Sequence, residues 1–240
     1  AAATAGQVGK PRIRPGAAAV APWGPGAGPG PMQSHTQTPQ LTFSKLPPTL
    51  TAPFEPMTRL SLYRDSASAN AGATLLLESD DAEVIAQALA ERGLGYERWP
   101  VKPELPAAAD SAAVLAAYAA EIAQVQASGT YPTVDAIRLG PDHPDRATLR
   151  QKFLSEHTHS EDEVRFFVEG RGLFVIHLEG EVLQVLCETG DFLRVPAGTK
   201  HWFDMGSSPH FTAIRFFDNP AGWVAEFTGD GIADRFPLLD

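Results

Sequence analysis

The sequence predicts a mainly β protein, a sandwich or closed barrel of short strands flanked by several α-helices. Two observations predict that class. From His157 onward, strand-like runs occupy residues 164–168, 173–178, 182–187, 192–195, 202–205 and 211–217. Turn signals lie between them, at Glu169-Gly170-Arg171-Gly172, Glu179-Gly180, Thr189-Gly190 and Pro196-Ala197-Gly198. Ahead of His157, apolar residues recur instead at helical spacing. No repeat of solenoid length is present.

In chain order, residues 59–64 (RLSLYR) alternate and read as a short strand. Asp80 or Asp81 can cap a helix running to about Arg92, with Val84, Ile85, Ala88 and Leu89 on one face and Gly93 at its stop. Asp110 can cap a second helix, whose stripe is Val114, Leu115, Tyr118, Ile122 and Val125 and whose end is expected at Gly129. Both helices are amphipathic and must cover something apolar. Pro141, His143 and Pro144 mark a turn, and a short helical stretch follows to about Phe153.

Composition narrows the function. The 240 residues carry a formal charge of −10, which argues against a nucleic-acid binder. No run of about 18 apolar residues exists that could span a membrane. Cys187 is the only cysteine, so no intrachain disulfide can form, and a reducing, cytoplasmic setting is expected. Residues 1–56 differ from the rest: 11 Pro and 7 Gly, with a net charge of +3 against −13 for residues 57–240. Such a stretch cannot bury enough apolar surface to offset its ordering entropy, so it is expected to be disordered. The apolar run at 17–21 is too short for a secretory leader. Periodic sequence begins at Met57, which is expected to be the biological start, with 1–56 a non-native extension and 57–240 the functional domain.

The chemistry concentrates at His157-Thr158-His159-Ser160-Glu161-Asp162-Glu163. Residues i and i+2 of an extended chain share a face, so His157 and His159 can aim two imidazoles at one point. Glu163 can return a carboxylate there after a tight turn, and His201 follows Pro196-Ala197-Gly198-Thr199-Lys200. Three imidazoles and a carboxylate suit Fe(II), Ni(II), Mn(II), Co(II) or Zn(II) and match Ca(II) or Mg(II) poorly.

His157-x-His159-x3-Glu163-x6-Gly170 resembles the first cupin motif, and Gly190-x5-Pro196-x-Gly198-x2-His201 the second. Two positions depart from the pattern: Gln151 stands where a glycine is usual and Met205 where an asparagine is usual, and neither is a ligand position. A narrower likeness is carried by residues 134–139, Asp142-His143-Pro144, residues 152–159, residues 163–170, Trp202-Phe203-Asp204-Met205-Gly206 and Ile214-Arg215-Phe216-Phe217. Together these resemble the acireductone dioxygenases, over about Met57 to Asp240.

The resemblance implies a double-stranded β-helix (cupin) barrel with flanking helices. It implies one Fe(2+) or Ni(2+) per chain, held by His157, His159, Glu163 and His201. The substrates would be O2 and the acireductone of methionine salvage, 1,2-dihydroxy-3-keto-5-methylthiopentene. The Fe form would yield 4-methylthio-2-oxobutanoate and formate, the Ni form 3-methylthiopropanoate, formate and carbon monoxide. Strand parity puts Arg165 on the face of Glu163, and the family gives the matching position to forming the substrate dianion. The alternative for Arg165 is a salt bridge with Glu169 or Asp204. Glu156 and Asp162 match positions linked to metal incorporation and conformational relay, while by themselves they read as solvated loop acids. Phe153, Phe203 and Trp223 are expected to line the pocket for the methylthio tail, or else to be ordinary core. His143 reads as structural, His210 as loop surface and Cys187 as a buried thiol, while His177 can face inward but lacks motif spacing. A monomer is expected, with no nucleic-acid or membrane partner. Two other readings are another cupin oxidase or isomerase, such as a manganese-dependent oxalate-type enzyme, and a non-catalytic cupin that binds a small molecule or sugar.

Overall fold

Two β-sheets share one long strand, and that strand carries the carboxylate and arginine of the predicted site. The computed structural model describes residues 58–65, 73–102, 105–106, 109–128, 130–219 and 223–240. The expected disorder of 1–56, the start at Met57 and the helix stop at Gly129 lie outside these residues. The elements run β1 (Arg59–Arg64), β2 (Thr74–Ser79), α1 (Ala82–Ala90), β3 (Gly95–Arg98), α2 (Ser111–Ala117), α3 (Ala119–Gln126), β4 (Thr133–Leu139), α4 (Arg146–Leu154), β5 (His157–Thr158), β6 (Glu163–Leu178), β7 (Glu181–Glu188), β8 (Asp191–Val195), β9 (Lys200–Asp204), β10 (Phe211–Phe217) and β11 (Glu226–Phe227). A 3-10 turn, Ile232–Arg235, follows. No helix among the described residues is long and apolar enough to cross a membrane.

One sheet has the order β11-β5-β9-β6-β7-β1-β2. In the other, β10 lies between β4 and β6, and β8 between β6 and β3. The two strands expected at 164–168 and 173–178 are therefore one strand, β6. The Gly170 segment bends the chain without reversing it. Gly170 has φ 68, and the register shifts opposite Thr212 and Ala213, as at a β-bulge. A Cβ at Gly170 would lie 1.8 Å from the His210 carbonyl oxygen, so only glycine permits that bend. The first half of β6 pairs with β10 and β8, the second half with β7 and β9.

The alternating strands make three apolar layers. Between the sheets lie Leu60, Leu62, Phe167, Phe174, Ile176, Leu183, Val185, Leu193, Phe203 and Phe211, joined by Ile85, Ala88 and Leu89 of α1. Val164, Phe166, Ile214 and Phe216 form the outer face of the second sheet, under Val114, Tyr118, Ile122 and Val125. Val175, Val182, Leu186 and Trp202 form the outer face of the first sheet, under Ile232, Ala233 and Phe236.

The caps fall where the sequence puts them. Asp81 Oδ1 accepts from the Glu83 and Val84 amides at 2.9 and 3.1 Å, and Asp110 Oδ1 from Ala113 at 2.8 Å. The helix expected from Asp110 breaks in two at Tyr118, whose backbone (φ −107, ψ 23) leaves the helical region. The Tyr118 ring is fully buried, edge-on to Phe166 with centroids 5.5 Å apart. Its hydroxyl accepts from the Lys102 amide at 3.1 Å, and Lys102 Nζ takes the Ala117 carbonyl at the break.

Candidate metal centre

Strand geometry brings the four predicted ligands together. His157 and His201 are opposite each other where β5 pairs with β9, and Ile176 of β6 pairs with His201 from the other side. Glu163 opens β6. All four side chains are buried, and one donor atom from each lies within 4.8 Å of all the others. The imidazole centroids are 4.5 to 5.1 Å apart.

Three main-chain carbonyls set the imidazoles. His157 Nδ1 lies 2.7 Å from Ser155 O, His201 Nδ1 2.8 Å from Thr199 O, and His159 Nδ1 3.0 Å from Val224 O. A carbonyl only accepts, so each Nδ1 carries a proton and each ring turns its Nε2 inward, as a lone pair wherever the ring is neutral. There His159 Nε2 and His201 Nε2 stand 3.1 and 3.0 Å from Glu163 Oε2. Lone pairs of neutral rings facing a carboxylate oxygen repel unless a proton or a cation lies among them. The donor set therefore fits a borderline divalent ion of the kind that imidazole and carboxylate share.

The electrostatics distinguish the rings. Burial, then the neighbouring His201, pushes His157 down to about 4, so it is neutral near pH 7 and open to a metal. Burial also lowers His159, but hydrogen bonding and attraction to Glu163 outweigh it and the net shift is upward. Burial disfavours the Glu163 carboxylate, yet Arg165, His159 and His201 together hold it well below its usual range.

Arg165 Nη2 stands 2.7 Å from Glu163 Oε1. This is an ion pair without aligned hydrogen-bond geometry, and Arg165 Nε is buried with no hydrogen-bond partner. Its guanidinium carbon sits 4.8 Å from the Phe203 ring centre, 5.1 Å from Phe174 and 5.4 Å from Trp223. The alternative partners are engaged elsewhere: Glu169 with Arg138 at 2.8 Å, Asp204 with Arg150 at 2.7 Å.

Phe203 is buried beside Phe153, with centroids 6.4 Å apart. Trp223 lies at 26° to the His159 ring, 6.0 Å between centroids, and its indole N–H donates to the Asp162 carbonyl at 3.0 Å. A Cβ on Gly172 would come within 2.3 Å of the Phe203 ring, so the glycine makes room for it.

Glu156 is not a solvated acid. It is 1% exposed, because alternation turns it to the outer face of β5, where His177 and Thr228 hold it. Asp162 is half-buried and bound by Arg194, Tyr131 and the Ala197 amide. His177 does not face inward: it follows Val175 on the outer face of β6 and contacts Glu156. His143 Nδ1 accepts from the Asp145 amide, His210 is exposed, and burial pushes the Cys187 thiol well up. The orienting carbonyls of Ser155, Thr199 and Val224 escape sequence reasoning because main-chain atoms leave no residue-type signal. Arg215 also escaped notice as a neighbour of Trp223. It donates to Asp135 through Nε at 2.7 Å and Nη2 at 2.6 Å, and lies 5.6 Å from the Trp223 ring.

The model of the ARD/ARD′ family matches residues 61–225. The chain belongs to the acireductone dioxygenase family. It is 63% identical over 184 residues to acireductone dioxygenase of Prochlorococcus marinus (strain MIT 9313), covering 76% of this chain and all of that one. It is 61% identical over 186 residues to acireductone dioxygenase of Synechococcus sp. (strain CC9605), again covering all of the relative. Among solved structures, acireductone dioxygenase from Bacillus anthracis with a cadmium ion in its active centre superposes with a TM-score of 0.60 at 30% identity, covering 71% of this chain and 98% of that one. The fold is thus the cupin barrel, and this member of the family is a metal-dependent oxidoreductase that acts on a small molecule and O2.

Proposed function

We propose that residues 57–240 cleave 1,2-dihydroxy-3-keto-5-methylthiopentene with O2, in the methionine salvage of the cytoplasm, and that the protein works as a monomer. The observation that carries this reading is the convergence of three inward-facing Nε2 atoms and a buried carboxylate beside an arginine with a free Nε. His157, His159, Glu163 and His201 would hold one Fe(2+) or Ni(2+). The ion, when bound, would supply Lewis acidity toward an ionised enediol.

The remaining work falls to side chains. Arg165 offers its buried guanidinium to an enolate oxygen, compensating its charge and lowering its affinity for a proton. Phe203 and Trp223, with Phe153 behind Phe203, keep water from the reacting carbons and provide an apolar wall for the methylthio tail. Asp162 fixes Trp223 through its carbonyl, and Glu156 holds the strand that carries His157. The products would be 4-methylthio-2-oxobutanoate and formate with iron, and 3-methylthiopropanoate, formate and carbon monoxide with nickel.

The test is anaerobic reconstitution with Fe(II) and with Ni(II), followed by O2 and synthetic acireductone. Formate, 2-oxo acid and carbon monoxide are quantified together. A metal-dependent switch between 2-oxo acid and carbon monoxide is expected. O2 consumption at the uncatalysed rate, despite stoichiometric metal, would refute the reading.

A further inference from the structure

Behind the ligand strand, the buried Glu156 anchors a polar chain whose His177 and Asp65 the proposed chemistry does not use. His157 and Glu156 are consecutive in an extended segment, so when the imidazole faces the ligand cluster the carboxylate faces the opposite layer. There Glu156 Oε1 accepts from Thr228 Oγ1 at 2.7 Å, and Glu156 Oε2 accepts from His177 Nδ1 at 2.6 Å. The Thr228 amide also donates to the Glu156 carbonyl at 3.1 Å. On its far side, His177 Nε2 lies 3.3 Å from Asp65 Oδ2. Asp65 is itself fixed, its amide donating to Gly180 O at 2.9 Å and its Oδ1 standing 3.4 Å from Arg235 Nη1. One imidazole therefore joins the end of β1 and the 3-10 turn to the segment that carries His157.

The other end of this chain reaches two ligands. Thr228 follows Phe227, whose ring packs on His157 with centroids 5.8 Å apart. Four residues before Thr228 is Val224, whose carbonyl orients His159. Fixing Thr228 on Glu156 thus holds the short β5–β11 pair in register and presses the 224–228 segment onto both imidazoles.

We infer that His177, supported by Asp65, is a positioning residue for the metal centre: it pins Glu156 and Thr228 and so slows the release of the ion. Without His177, Glu156 Oε2 is left buried and unpaired. That oxygen can regain a partner only by admitting water, which separates β5 from β11 and frees two ligands to swing. The inference rests on the metal-centre reading and adds to it a residue on the opposite face of the sheet.

The test uses the full chain loaded with Ni(II), challenged with excess chelator, with metal release followed over time. His177→Ala and Asp65→Asn are compared with wild type. Ile232→Ala, in the same outer layer, serves as a control that destabilises without touching Glu156. Expected is release about tenfold faster for His177→Ala, as for loss of an outer partner of a ligand, and a smaller increase for Asp65→Asn. His177→Gln keeps a donor for Glu156 and should recover to within about threefold of wild type. Ile232→Ala should release at the wild-type rate. If His177→Ala fails to fold, Asp65→Asn and His177→Gln decide. Release no faster in the His177 and Asp65 variants than in Ile232→Ala overturns the inference alone. A wild-type chain that takes up no metal overturns both this inference and the metal-centre reading.

Discussion

Replacing Arg165 by Met probes the balance of charge inside the barrel. The two side chains have similar reach, so the contacts with Phe174, Phe203 and Trp223 are largely kept while the charge is lost. Glu163, 3% exposed, then stands without the cation now 2.7 Å from it. Breaking a buried pair on one side costs about 3–5 kcal/mol. For a domain of this size 1 kcal/mol moves Tm by about 2–4 °C, so the metal-free variant should melt about 6–20 °C below the metal-free wild type. A bound divalent ion supplies the missing charge, so Ni(II) should raise the variant's Tm by more than it raises that of wild type. The pH dependence has a definite sign. Glu163 is held below its ordinary value in the folded protein, so its contribution is present above that value and is lost as pH falls through the folded one. Without Arg165 the largest of the influences that lower Glu163 is gone, so its value moves up from where Arg165 holds it. The deficit should therefore be largest at neutral pH and shrink as pH falls through the ordinary carboxylate range. Calorimetry of both proteins, with and without Ni(II), at several pH values is the assay. Equal stability of the two metal-free proteins at pH 7, or a deficit that Ni(II) leaves unchanged, would refute the reasoning. Turnover of the loaded variant should fall while its metal content stays stoichiometric.

Gly172→Ala places a Cβ 2.3 Å from the Phe203 ring and should cost about 1–3 kcal/mol in urea unfolding, with Phe203→Leu in the same chain recovering part of it. Metal affinity should decline with acidification. His159 is raised above 6.5 in the metal-free site, so proton competition should begin above that pH and grow below it, whereas His157, at about 4, should not contribute until far lower; competition titrations at stepped pH check the order. Asp204→Ala removes the acceptor shared by Arg150 and the Gly206 and Leu239 amides, and should lower stability by at least about 2 kcal/mol in denaturant titration.

The four candidate ligands were legible because each rule needed only local spacing: i and i+2 for His157 and His159, and the motif offsets for Glu163 and His201. Arg165 was legible by strand parity. The continuity of β6 was not, since Gly170 and Gly172 in a strand look the same in sequence whether they reverse the chain or bend it across two sheets. The break at Tyr118 was hidden for a related reason. Its place in an apolar stripe is correct, and only contacts with Phe166 and Lys102, distant in sequence, pull its backbone out of the helix. Strand β2 escaped because TLLLES lies at the sheet edge, with Leu75 and Leu76 exposed and no alternation to read. Glu156 looked like a loop acid because its partners, His177 and Thr228, are 21 and 72 residues away.

The imidazoles are oriented by peptide carbonyls, and that bears on how the site tolerates sequence drift. No neighbouring side-chain replacement can delete such a partner, so residues around the centre can vary without changing which ring nitrogen is offered. Two of the three are self-sufficient: Ser155 and Thr199 each lie two residues before the histidine they orient. The third is borrowed across 65 residues from Val224. His157 and His201 can therefore acquire their orientation as soon as their own strands form. His159 must wait for the C-terminal segment to dock, which makes the last-arriving part of the chain the one that completes the centre.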